Sequence, residues 1–119
     1  MVNVDERVKP VFITDKDSDT KYELDFSRES VKFAEARGFE IESVFKFPTT
    51  KIPELFFYAF RKNHKNIARA NTDALFDKMG GVSGAFLERL VQLYNQAGLS
   101  HVILSDEDSE KNGSVTVEL

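Results

Sequence analysis

Few side chains in this 119-residue sequence are able to do chemistry. It has no cysteine, which excludes a thiolate nucleophile, a disulfide and Cys-ligated zinc or iron–sulfur sites. Its two histidines are His64 and His101, and neither has a second histidine or a carboxylate at a metal-ligand spacing. Because Arg61, Lys62 and Lys65 surround His64 and would repel a metal cation, the sequence predicts an ordinary surface histidine there.

The motifs of common enzymes are also missing. A hydrolase would need Ser or Thr beside one of the two histidines, but no Gly-x-Ser-x-Gly elbow is present. The glycine-rich stretch 80–84 (GGVSG) lacks the Gly-Lys-Ser/Thr ending of a phosphate loop, and it predicts a connection between helices. We therefore expect a protein that is not an enzyme, with no catalytic residue, no metal and no cofactor.

An acidic stretch copies the first half of a calcium loop with Asp15, Asp17 and Asp19. The helix–loop–helix calcium motif also needs Gly at its sixth position and a bidentate Glu at its twelfth, where this sequence has Thr20 and Phe26. The flanking residues have the composition of strands. The stretch therefore predicts a solvated hairpin turn, with calcium binding as the minor alternative.

Charge is unevenly distributed along the chain. The net charge of −4 argues against a general nucleic-acid binder, yet residues 51–70 carry a net charge of +4 between two acidic regions. Arg61, Lys65 and Arg69 follow an i, i+4, i+8 spacing, so with Lys62 they would form a basic stripe on a continuing helix. This stripe is either a solvated helix face or a surface that contacts phosphate.

The elements that position these side chains follow from hydrophobic periodicity. Strand-like runs at 8–14 and 21–26 enclose the polar stretch 15–20 and predict a β-hairpin, whose first strand lies at a sheet edge or starts after Pro10. A short apolar run at 39–47 predicts one or two helical turns. Four longer helical segments are predicted around it. They are 28–37, capped by Ser27 and ended by Gly38; 51–66, capped by Thr50; a short helix from Asn71 or Thr72 to 78 or 79, stopped by Gly80-Gly81; and 84–96, capped by Ser83 and closed by Gly98.

These elements predict an α+β fold with an N-terminal β-hairpin, four to five α-helices and a short C-terminal strand. We expect a single domain over residues 1–104, then an acidic segment and the C-terminal strand over 105–119. The acidic part is 105–110 (SDEDSE), and 114–119 (SVTVEL) alternates like a strand that could add to the hairpin. The sequence contains no signal peptide and no apolar run of about 20 residues, so no membrane association is expected.

Phenylalanine is the most distinctive residue of the sequence. Six of the 11 phenylalanines fall between positions 39 and 60, and the apolar arcs of helices 51–66 and 84–96 are wide. A chain of this length has few elements with which to cover both helices on several sides. We therefore expect part of this apolar surface to contact another chain.

Four stretches of the sequence resemble one protein family. They are 21–38 (KYELDFSRESVKFAEARG), 47–66 (FPTTKIPELFFYAFRKNHKN), 80–95 (GGVSGAFLERLVQLYN) and 115–119 (VTVEL). Their types and order are similar to those of the tail-assembly chaperones of long-tailed, siphovirus-type bacteriophages and prophages of Gram-positive bacteria. The resemblance covers most of residues 11–97.

The resemblance implies a non-enzymatic protein of the host bacterial cytoplasm that binds the phage tape-measure protein and keeps it soluble. It further implies a homo-oligomer and a longer product made by ribosomal frameshifting. Eight residues are predicted to contact a partner: Phe56, Phe57, Phe60, Arg61, Lys65, Leu87, Leu90 and Tyr94. The alternative is a small phage nucleic-acid-associated regulator that uses the basic stripe.

Overall fold

A computed structural model of the protein describes residues 7–99 and Glu118, with Leu99 described by its backbone alone. The chain folds into a hairpin, β1 (Val11–Asp15) and β2 (Thr20–Leu24), followed by the helices α1 (Arg28–Ala36), α2 (Ser43–Lys46), α3 (Pro48–Tyr58), α4 (Arg69–Met79) and α5 (Gly84–Leu99). The predicted α+β fold with its N-terminal hairpin is confirmed. The predicted boundary at 104/105, the acidic stretch 105–110, and the strand 114–119 apart from Glu118 lie outside the described residues.

The hairpin has the predicted position and turn. Its strands pair antiparallel from Val11 with Leu24 to Asp15 with Thr20, and β1 begins directly after Pro10. Asp19 takes a positive φ of 53° in the turn, a conformation that Asp tolerates better than most residues. Because side chains alternate between the two faces of a strand, Leu24 is buried, whereas the neighbouring Glu23 lies on the other face and is half-buried.

Helix ends follow local sequence signals where these are strong. Ser27 and Ser30 form a capping box at the start of α1, and the Ser83 hydroxyl accepts the Phe86 N–H at 3.1 Å at the start of α5. Gly38 follows α1 with φ +84° and Gly80 ends α4 with φ +75°. Both glycines adopt the left-handed conformation that the sequence predicted for them.

The middle of the chain departs from the predicted boundaries. Helix α3 spans Pro48–Tyr58 rather than 51–66, so Thr50 lies inside the helix and does not cap it. Pro48 takes the first helical position, where its missing N–H has no intrahelical partner. Beyond Tyr58 the chain tightens into turns, in which the Phe60 N–H donates to the Phe57 carbonyl, and the Ala59 carbonyl accepts the N–H of Asp25 at 3.1 Å.

Two further boundaries differ. Helix α4 begins at Arg69 with Ala68 at its N-cap, so Asn71 and Thr72 lie within the helix. Helix α5 continues through Gly98, which the sequence predicted as its end. A Cβ on Gly98 would approach Cγ1 of Val31 to 3.3 Å, so this glycine allows α5 and α1 to pack closely.

One core joins the hairpin to α1, α3 and α5, and α4 packs on α3. Its largest fully buried side chains are Phe56, Phe60, Leu24, Leu55, Leu90 and Leu93. Aromatic rings make edge-to-face contacts throughout, for example Phe26 with Tyr94 at 5.1 Å between centroids. Over the described residues, no helix reaches the length and apolarity that crossing a bilayer requires.

Candidate partner-binding site

The eight predicted partner-binding residues divide into two groups. Four belong to the core, where they contact other parts of the same chain: Phe56, Phe60, Leu90 and Tyr94. The other four reach the surface, three of them half-buried and Lys65 exposed: Phe57, Arg61, Lys65 and Leu87. A partner that binds the folded chain can therefore touch only the second group.

Rings of the same chain cover the buried phenylalanines. The Phe56 ring meets Phe60 at 5.1 Å and Phe76 at 5.5 Å, and the Phe60 ring meets Tyr22 at 5.4 Å. Burial also raises the pKa of the Tyr94 phenol to about 12. Most of the apolar arc of α3 thus finds its partners inside the protein.

Three other phenylalanines are left uncovered, Phe12 on the hairpin and two that are close together in the chain. Phe45 is 67% exposed and Phe47 is 54% exposed, and we call them the exposed Phe pair. They lie on and just after α2, a single turn whose Val44 is fully buried and fixes which side faces inward. Sequence reasoning missed this pair as site residues. Its available signal was the short sequence separation between Gly38 and Pro48, which leaves room for no more than one or two helical turns.

A groove of about 430 Å³ runs between α1, the α1–α2 connection and α5. Its lining combines apolar side chains with three carboxylates and two cations: Val31, Phe39, Ile41 and Tyr94 with Glu35, Glu40 and Glu42 and with Arg28 and Lys32. Such a groove suits an apolar side chain that is flanked by charged groups.

The predicted basic stripe does not form a helical face. Because α3 ends at Tyr58, Arg61 and Lys65 belong to the turns that lead to α4. Lys62 pairs with Asp25 at 2.6 Å and Arg69 pairs with Asp73 at 2.8 Å. Three residues of the stripe, Arg61, Lys65 and Arg69, instead line a cavity of about 250 Å³ together with Arg37, which follows α1. We call it the cation-lined cavity.

The calcium-like carboxylates of the hairpin turn contact a lysine. The Lys78 Nζ lies 3.1 Å from Asp15 Oδ1 and 3.0 Å from Asp17 Oδ2. The Lys78 hydrogen bond lowers the pKa of Asp15, and the Asp17 carboxylate raises the pKa of Lys78. Within the described part of the chain, no three His, Asp or Glu side chains are grouped closely enough to hold a metal ion.

His64 is half-buried and joins two parts of the fold, in contrast to the predicted surface position. Its Nε2 accepts the backbone N–H of Glu23 at 3.0 Å. Its ring contacts Tyr22 at 5.1 Å and Phe60 at 6.0 Å between centroids. Glu23 and Tyr22 are about 40 residues away in sequence, so the neighbouring cations, which were the visible signal, did not reveal this role. His101 lies outside the described residues.

Comparison with known proteins adds a family but no function. No curated protein and no solved structure matches the chain. The domain family of unknown function DUF5055 matches residues 5–119, which is nearly the whole sequence. The chain therefore belongs to the DUF5055 family.

Proposed function

We propose that this protein is a non-enzymatic tail-assembly chaperone of a long-tailed bacteriophage or prophage. In the host cytoplasm it would bind the tape-measure protein and keep it soluble during tail morphogenesis. The sequence resemblance suggests this role, and the exposed Phe pair is the structural observation that supports it best.

The energetics of the exposed Phe pair favour a binding role. Full burial of a Phe side chain contributes roughly 1.5–3 kcal/mol. Since Phe45 and Phe47 are more than half exposed, covering both would contribute about 2–3 kcal/mol to a complex. Aromatic side chains are also enriched among the residues that dominate interface energies. A gain of this size suits a reversible contact with an apolar helix face.

The groove beside α1 and α5 offers a second contact. Its apolar floor would take one side chain of an amphipathic helix, while its three carboxylates and the cations Arg28 and Lys32 would pair with opposite charges on either side of it. A partner helix with an apolar stripe bordered by charges of both signs therefore fits this surface. We propose this pattern for the segment of the tape-measure protein that the chain binds.

Self-association belongs to the same proposal. In the absence of the tape-measure protein, the exposed Phe pair of one copy would be covered by a second copy, which gives a homo-oligomer. The proposal also includes a longer frameshift product that shares this domain. Residues Phe57 and Leu87, the half-buried apolar residues of the predicted set, would extend the contact surface.

Co-expression with the tape-measure gene tests the proposal. The full chain should raise the soluble fraction of the tape-measure protein and co-purify with it. The double variant Phe45→Ser/Phe47→Ser should lose most of this effect. Phe12→Ser is the matched control, because Phe12 is as exposed as Phe47 but lies on the hairpin.

Two results would contradict the proposal. One is tape-measure solubility that the full chain leaves unchanged, without co-purification. The other is equal loss of solubility with Phe12→Ser and with the double variant, which would indicate a general effect of surface apolarity. The nucleic-acid alternative is less well supported, because Lys62 and Arg69 of the basic stripe are already paired with carboxylates.

A further inference from the structure

The geometry points to a second site, and we infer that the cation-lined cavity binds a phosphate-bearing ligand. The site lies where the end of α1, the end of α3 and the start of α4 meet. Apart from Phe57, whose ring contacts Arg69, it uses different residues from the proposed contact surface, so the inference goes beyond the proposed function and does not depend on it.

Two phenylalanine rings hold the arginines of the cavity. The Arg37 guanidinium carbon lies 4.4 Å from the centroid of the Phe33 ring, and that of Arg61 lies 3.9 Å from the same centroid. Arg69 lies 5.8 Å from the Phe57 ring centroid. A guanidinium stacked on a ring uses its flat face, and its N–H groups remain directed outward in its own plane. The N–H donors of Arg37 therefore remain available to a ligand, as do those of Arg61 that do not contact the Lys65 carbonyl.

The cavity collects positive charge that the described residues do not neutralise. Its lining contains no carboxylate, although the chain has 20 acidic residues against 16 basic ones. Arg61 donates one hydrogen bond, at 3.2 Å, to the Lys65 carbonyl, while Arg69 pairs with Asp73 outside the lining. Within the described part of the chain, Arg37, Arg61 and Lys65 have no carboxylate partner. Two guanidinium groups on one ring repel each other, and a bound anion would relieve this repulsion.

The start of α4 adds to the positive electrostatic potential of the cavity. Ala68 at the N-cap and Arg69 at the first helical position both line the cavity, and no side chain caps this helix. The N-terminus of an 11-residue helix carries a partial positive charge and free N–H groups. The helix end therefore supports the cations of the cavity as a secondary contribution.

Phosphate fits this arrangement better than carboxylate does. A single carboxylate is satisfied by one arginine, whereas a phosphate group carries up to two charges and three or more acceptor oxygens. Arg37, Arg61 and Lys65, which have no carboxylate partner among the described residues, supply the positive charge and the several donors that a phosphate group requires. The volume of about 250 Å³ accommodates one or two phosphate groups, and it is below the range of pockets that enclose a drug-sized ligand.

Isothermal titration calorimetry of the full chain with pyrophosphate at 50 mM NaCl tests the inference. We expect saturable binding that weakens as salt is raised to 200 mM. The double variant Arg37→Gln/Lys65→Gln should weaken pyrophosphate binding at least tenfold, because it removes two of the cations that no described carboxylate neutralises. Both side chains are exposed, so the substitutions leave the core intact. The matched control is Arg28→Gln/Lys21→Gln, which removes two exposed cations elsewhere and should leave pyrophosphate binding unchanged. Thermal unfolding of each variant verifies that the fold is retained.

Separate titrations identify the source of the phosphate. Binding of pyrophosphate and ATP supports a small phosphorylated ligand, while binding of a single-stranded 12-mer oligonucleotide without either supports a nucleic-acid backbone. Three results would overturn the inference. They are no saturable binding of any of these probes, binding that the Arg37→Gln/Lys65→Gln variant does not weaken, and equal affinity for an oligoglutamate peptide.

Discussion

His64 provides the sharpest test of how this fold is held together. Its Nε2 accepts the Glu23 N–H at 3.0 Å, and its ring contacts the rings of Tyr22 and Phe60. The acceptor role requires an unprotonated Nε2. These contacts connect the hairpin to the turns between α3 and α4. We expect the change His64→Ala to weaken the whole fold and not only the turn that contains it.

The size of the effect follows from the contacts that are lost. The hydrogen bond contributes about 1 kcal/mol, and the two edge-to-face ring contacts contribute roughly 0.5–1 kcal/mol each. The alanine variant should therefore lose about 2–3 kcal/mol of unfolding free energy. His64→Gln is the matched control, because its Oε1 can reach the position of Nε2 and accept the same N–H. It should lose only the ring contacts, or about 1–2 kcal/mol.

Urea denaturation of the wild type and both variants measures these differences. We expect the transition midpoints to fall in the order wild type, glutamine, alanine, with unchanged slopes. A loss below about 0.5 kcal/mol in the alanine variant would refute the stabilising role of His64, since surface substitutions stay within that range. Equal losses in the two variants would refute the part assigned to the hydrogen bond.

Two further predictions concern ion pairs. Lys62→Met should destabilise the fold by about 1–2 kcal/mol in urea denaturation, because it leaves the buried Asp25 carboxylate unpaired. Adding Asp25→Asn should recover part of the lost unfolding free energy, and no recovery would contradict this explanation. The contact of the hairpin turn with α4 should weaken as pH falls below 3.8, the ordinary pKa of Asp15, because the Lys78 hydrogen bond lowers that pKa in the fold. It should also weaken as pH rises above 10.5, because the carboxylates raise the pKa of Lys78. An NMR titration of the Asp15 carboxyl group checks this directly, and an unchanged Asp15 pKa in Lys78→Met would contradict it.

Local signals in the sequence were sufficient wherever a few neighbouring residues decide the structure. Ser27, Gly38 and Ser83 predicted helix ends that the structure confirms. The end of α3 could not be predicted in this way. The Ala59 carbonyl takes its hydrogen bond from Asp25, 34 residues earlier in the chain, and no pattern within a helix-sized window records that pairing.

The candidate site shows the same limit. The excess of phenylalanine correctly indicated that the chain does not bury all of them, but periodicity assigned the surface to α3 and α5. Phe56 and Phe60 became core residues because Tyr22 and Phe76 cover them from other elements. Phe45 and Phe47 stayed outside because their helix is only one turn long. Which face of a wide apolar arc is covered depends on tertiary packing.

The hairpin has consequences for how this protein could assemble. Asp25 and Asn63 form hydrogen bonds that join β2 to the turns after α3, and together with His64 they close the outer edge of β2. Over the described residues, the outer edge of β1 has no strand beside it. A further strand could therefore be added to this sheet only beside β1. Two copies that paired through β1 would complete a four-stranded sheet with both ends closed, so strand addition in this fold terminates at a dimer and does not lead to a filament.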